Sequence, residues 1–67
     1  MIVYDRLWDY LKEHGVSQYK LYKQGISHST MSRLHNNESV HTETINKLCS
    51  ILHCKVEDIM EYVDDEV

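Results

Sequence analysis

The 67-residue chain is predicted to be an all-α domain of five short helices. Three observations predict it: apolar residues recur at helical spacing, Ser residues stand at cap positions, and the chain has no proline and only two glycines, each at a break between periodic segments. At this length one domain is expected, near the lower limit at which a single core is self-sufficient.

The elements follow in order. Asp5 is a candidate cap for a first helix in which Tyr4, Leu7, Trp8 and Leu11 form one apolar stripe, and Gly15 is placed to end it in the left-handed conformation. Ser17 caps a second helix that runs to about Gln24, and Gly25 makes the next turn. Ser27 caps a third helix with a narrow stripe of Met31 and Leu34. The run Asn36, Asn37, Glu38, Ser39 reads as a loop. A fourth helix, capped near His41 or Thr42, carries Ile45, Leu48, Cys49 and Leu52. Val56, Ile59, Met60 and Val63 repeat the same spacing and predict a fifth. Ile2, Val3 and Tyr4 form a brief β-prone run that could pair with another chain. The reading is one domain over 1–63, with an acidic tail over 64–67 expected to be disordered.

The formal net charge of −4 argues against a polybasic binder, but the charges segregate. His14 to Asn37 holds Lys20, Lys23 and Arg33 and no acid, a segment of +3, whereas the remaining four bases and eleven acids give −7. Glu57, Asp58, Glu61, Asp64, Asp65 and Glu66 crowd the C-terminus. There is no apolar run of roughly 18 residues and no signal-peptide pattern, so the expected location is the cytoplasm, without a membrane partner.

On a wheel of about 100° per residue, His28, Ser29, Ser32, Arg33 and Asn36 span the arc opposite Met31 and Leu34. An arc of this composition suits the major groove, where Arg pairs with guanine, Asn with adenine, and Ser with either. Ser17 and Gln18 begin the preceding helix, whose free amides and side-chain amide suit a phosphate. Lys20 and Lys23 are further candidates for backbone phosphates. Two short helices joined by a glycine turn over about 17–35, inside the acid-free window, make a helix-turn-helix. A solvated polar face is the bland alternative; the two caps, the turn and the exclusion of acids weigh against it.

SQYKL followed by GISHSTMSRL resembles the signature of Cro and lambda-repressor type helix-turn-helix regulators, roughly S/T-Q-x-x-L and then G-I/V-S-x-x-T-I/L-S-x-I/L. The similarity extends over about residues 4 to 63. It implies a five-helix, lambda-repressor-like DNA-binding domain whose third helix enters the major groove. His28 and Ser29 match the first two recognition positions, Ser32 and Arg33 those one turn later, and Asn36 a backbone-contacting position. Gln18 matches a glutamine that touches phosphate and props the first recognition residue, and Thr30 a position beside the core. Two departures stand out: Leu21 to Ser27 is one residue shorter than usual, with Tyr22 where a small Ala is common, and His28 occupies a site more often filled by Gln, Arg or Lys.

Cys49, His53 and Cys54, with His35 and His41, invite a metal reading, but their spacing is poor and both thiols fall at packing positions. No oxyanion element or orienting third group accompanies them, so neither an enzyme, a cofactor nor a small-molecule substrate is expected. The leading function is a sequence-specific DNA-binding regulator, a repressor on a palindromic operator. One module with few bases binds weakly, so a homodimer is expected, its contact on the exposed side of helix five at Met60, Tyr62 and Val63. The rival is a protein-interaction module on the same fold, an antirepressor, antitoxin or inhibitor using its acidic surface.

Overall fold

The computed structural model describes residues 1–64. Strand β1 (Ile2–Val3) is followed by α1 (Asp5–His14), α2 (Gln18–Lys23), α3 (His28–His35), α4 (Thr42–Leu52), a single 3-10 turn (Val56–Asp58) and strand β2 (Glu61–Tyr62). The core is assembled from every helix. Leu7, Leu21, Leu34, Leu48 and Ile59 are fully enclosed and Leu11, Met31, Ile45 and Leu52 nearly so, while no polar or charged residue is buried among the described residues.

Caps decide where the short helices begin. Ser17 accepts from the Lys20 amide and Ser27 from the Thr30 amide, each satisfying one of the free donors at a helix start. The start of α1 differs from expectation. Tyr4, not Asp5, holds the cap position, and it makes no side-chain cap bond; Asp5 lies in the first turn, where its charge suits the helix dipole. His41 precedes α4, also without a side-chain cap bond.

Helix ends follow one rule. At Gly15, which has φ of 64°, the Val16 amide bonds the Leu11 carbonyl and the Gly15 amide that of Lys12. At Gly25, with φ of 103°, Ile26 bonds Leu21 and Gly25 bonds Tyr22 in the same paired pattern. Both are Schellman closures, in which the residue after the glycine packs on the helix it terminates. Ile26 and Leu21 are indeed both buried. The shortened connection between α2 and α3 is therefore a well-formed cap, and the Lys47 ammonium from α4 lies 3.5 Å from the Gly25 carbonyl at the negative end of α2.

The fifth helix does not form. Its span splits into the 3-10 turn, the buried Ile59 and strand β2, so among the described residues the α-helices number four, and a two-stranded sheet joins Ile2–Val3 to Glu61–Tyr62. Two competing interactions explain this. Arg6 donates through Nη1 to the Glu57 carbonyl, the acceptor that an α-helix would offer to residue 61, and its Nε–Nη2 fork binds the Glu61 carboxylate. β1 meanwhile pairs antiparallel with β2, Ile2 opposite Tyr62 and Val3 opposite Glu61, and Val63 donates to the Met1 carbonyl. An isolated helix of eight residues has little stability to set against these. The β-prone run at 2–4 thus pairs within the chain over Ile2–Val3. Met60, Tyr62 and Val63 lie on or beside a strand, with only Tyr62 well exposed. Of the expected acidic tail, only Asp64 falls among the described residues.

Both cysteines are free thiols, half-buried in packing positions. Burial pushes the Cys54 thiol up to about 11, with the neighbouring Cys49 and Asp58 acting in the same direction.

Gly15→Ala, with open space around the new methyl, should cost about 1–2 kcal/mol. Gly25→Ala, at a φ further from the left-handed well, should cost about 2–3 kcal/mol, both read from urea midpoints. At pH 8 the raised Cys54 has roughly 100-fold less thiolate than an unshifted thiol, partly offset by greater nucleophilicity, so iodoacetamide should label it about tenfold more slowly. Because the folded state holds this proton more tightly than the unfolded chain, stability should fall as pH rises from the ordinary value of 9.0 towards 11, and Cys54→Ala should flatten that fall.

Candidate nucleic-acid interface

The two capped helices form the expected unit, with α3 held against the core by Met31 and Leu34. The rest of the helix faces outward. His28, Ser29, Ser32, Arg33 and Asn36 are all exposed, so the structure places the whole predicted arc on one accessible surface. Ser17, Lys20 and Lys23 are exposed beside it on or next to α2, and Gln18 is partly covered.

Each side chain on this surface has a different degree of freedom. The Arg33 guanidinium makes no hydrogen bond or ion pair among the described residues, in contrast to that of Arg6, which is spent on Glu61 and the Glu57 carbonyl. At the start of α3, Ser27 Oγ donates to Thr30 Oγ1 at 2.9 Å and lies 3.3 Å from Ser29 Oγ. Thr30 is thereby occupied as part of the cap and half-buried, and Ser29 has a local partner to give up before it reaches a ligand. Asn36 follows the last turn of α3, its backbone amide closing on Ser32.

Two stacked pairs hold the imidazoles. His28 lies against Tyr22 with ring centroids 4.0 Å apart, so the first arc residue is propped from α2 by an aromatic face. The bulky Tyr22, at odds with the small residue usual there, has a definite task. At the far end of α3, His35 stacks on Trp8 at 4.1 Å with the rings 5° from parallel, and its Nε2 meets Gln18 Oε1 at 3.1 Å. The propping expected of Gln18 at His28 falls to another residue. The Gln18 amide oxygen joins the start of α2 to the end of α3 through His35, and it is Tyr22 that supports His28.

Sequence reasoning overlooked Lys47. The residue belongs to α4, outside the acid-free window, and only the fold brings its ammonium to the Gly25 turn, in a shallow polar recess that also includes Ser27, Thr30 and Glu43. The Lys23 ammonium rests 5.5 Å over the Tyr19 ring, a weak cation–π contact that leaves the charge accessible. The cations around α2 and α3 thus carry no competing carboxylate partner, and the acid closest in sequence after α3 is Glu38. Among the described residues no group of three or more His, Cys, Asp or Glu side chains is arranged to hold a metal ion, and no helix is long and apolar enough to cross a membrane.

Comparison with known proteins agrees with this geometry. The model of the Cro/C1-type HTH DNA-binding domain matches residues 6–65. Among solved structures, that of the transcriptional regulator VanUg superposes with a TM-score of 0.88 at 29% sequence identity, covering 96% of this chain and 87% of that one. The search of curated proteins found no match. With its capped helix pair, its outward-facing α3 arc and a family match over nearly its whole length, this chain belongs to the Cro/C1-type helix-turn-helix DNA-binding domains.

Proposed function

We propose that this protein is a sequence-specific transcriptional repressor that reads a palindromic operator as a homodimer. The observation that carries the reading is Arg33, an unpaired guanidinium in the middle of an exposed, acid-free helix face. His28, Ser29, Ser32 and Arg33 read base edges in the major groove, Arg33 as the bidentate partner of guanine. Ser17, Gln18, Lys20, Lys23 and Asn36 contact the sugar–phosphate backbone and fix the register of α3. The transcriptional regulator VanUg, a structural neighbour, supports the regulatory role. Repression needs no more than occupancy of the operator.

Dimerisation compensates for the small number of cations. With Lys20 and Lys23 as the lysines of α2 beside the reading helix, phosphate neutralisation gives modest affinity, and two modules about 34 Å apart would combine their contacts on successive turns of DNA. Met60, Tyr62 and Val63 supply the contact, now from the β2 segment; Tyr62, 68% exposed, is the side chain best placed to meet a partner.

With an operator obtained by selection from random DNA, Arg33→Ala should lose about 1–3 kcal/mol of binding and relax preference at one position per half-site. Unchanged binding and preference would instead favour the protein-interaction module. Lys20→Ala or Lys23→Ala should weaken all sequences alike and reduce the salt slope by about 1 per lost phosphate contact. Sedimentation equilibrium should show a dimer at tens of micromolar that Tyr62→Asp converts to monomer; a native monomer at that concentration sinks the interface.

A further inference from the structure

A groove of about 600 Å³ runs along α4, and no residue of α2 or α3 lines it. Its wall is apolar: Val40, Ile45, Val56 and Met60, with the thiols of Cys49 and Cys54. Cys54 is uncharged at neutral pH for the reason given above, so it behaves as part of that apolar wall. The volume falls within the range of about 300–1,000 Å³ typical of small-molecule sites, which are also mostly apolar with a few polar groups that orient the ligand.

Its charge is what singles it out. In a chain with eleven acids and a net charge of −4, the wall contains no acid, and its single charged residue is Lys55. Lys55 uses its backbone amide to bond Asp58 Oδ2, and no carboxylate among the described residues pairs with its ammonium. An apolar trough with one unpaired cation complements a molecule with an apolar body and one negative charge. A carboxylate is tolerated beside apolar surface when it is paired in this way.

The groove also reaches the recognition helix through one side chain. Tyr4 lines it, and the same residue donates from its backbone amide to Asn37 Oδ1 at 3.1 Å and from its hydroxyl to the Glu38 carbonyl at 3.0 Å. Those two residues close α3: Asn37 is left-handed at φ of 56°, and the Glu38 amide bonds the carbonyl of Arg33 at 2.8 Å. A molecule against Tyr4 is therefore one residue removed from the peptide units that end the DNA-reading helix.

We propose that this groove is an effector site for a small amphiphilic carboxylate, whose acid pairs with Lys55 and whose apolar body lies along Val40, Ile45, Val56 and Met60 against Tyr4. Binding does not depend on the DNA reading; only its consequence for transcription rests on that reading, so the site is tested on the free protein. Non-specific attraction to an acidic protein favours a cation, which makes the sign of the preference diagnostic.

The experiment titrates isotope-labelled protein with decanoate and with decylammonium, below micelle-forming concentrations, followed by amide NMR shifts. The expected result is saturable binding with shifts along the groove and at Asn37 and Glu38, with decanoate bound about 3–10-fold tighter than decylammonium. Lys55→Glu should reverse that order, and Val56→Asp, at a half-exposed site, should weaken both probes. No saturable binding, equal or cation-favouring affinity in the native protein, or shifts confined to other surfaces would overturn the proposal. So would shifts at Val40, Ile45 and Val56 that grow with protein concentration alone, since these report a second copy covering the groove itself, beyond the Met60 edge that the dimer contact shares. Arg33→Ala tests DNA reading separately, so failure of one leaves the other standing.

Discussion

Each of the four described α-helices closes on a residue with positive φ: Gly15 after α1, Gly25 after α2, Asn37 after α3 and His53 after α4. In each case the amide of the next residue bonds a carbonyl five positions back, Val16 to Leu11, Ile26 to Leu21, Glu38 to Arg33 and Cys54 to Cys49. This left-handed closure reverses the chain sharply while satisfying carbonyls that would otherwise be orphaned. A chain this short has no room for long loops, so the directions of its helices are set almost entirely by four such closures. The second has the greatest bearing on function: it aims α3 outward, and α2, Ile26 and the Lys47 ammonium all converge on it.

The electrostatic arrangement depends on the same geometry. The two arginines receive opposite assignments, the Arg6 guanidinium locked to Glu61 and the Glu57 carbonyl and that of Arg33 left without a partner. The acids cluster where the chain returns to its own N-terminus, and there they have structural work. The surface of α2 and α3 carries no acidic residue of its own and is rich in hydroxyls, amides and imidazoles, with Glu43 of α4 at its edge beside Lys47. Specificity on such a surface comes from hydrogen-bond geometry more than from charge density.

Much of the DNA-binding unit was legible in the sequence because it is built from local signals. Ser17 and Ser27 act within three residues of themselves, Gly15 and Gly25 within five, and the stripe of Met31 and Leu34 follows from helical period alone. What escaped was non-local. Val56, Ile59, Met60 and Val63 have helical spacing, yet the segment is claimed by Arg6 and β1, more than fifty residues away. Gln18 is diverted by His35, and Lys47 meets Gly25 only through packing of α4. Asn37 and His53 are not glycines, but both belong to residue types enriched in the left-handed region, so a weaker signal was present. Neither the shape of the groove nor its lone cation could be read from order along the chain.

The pairing of β1 with β2 also bears on how the molecule comes apart. The helices and their closures are contacts between near neighbours, which form early, whereas Ile2 opposite Tyr62 requires nearly the whole chain to be in place. An interaction made after the folding barrier adds little to the rate of folding and instead slows unfolding. The strand pair acts as a latch: it contributes less to finding the fold than to keeping it.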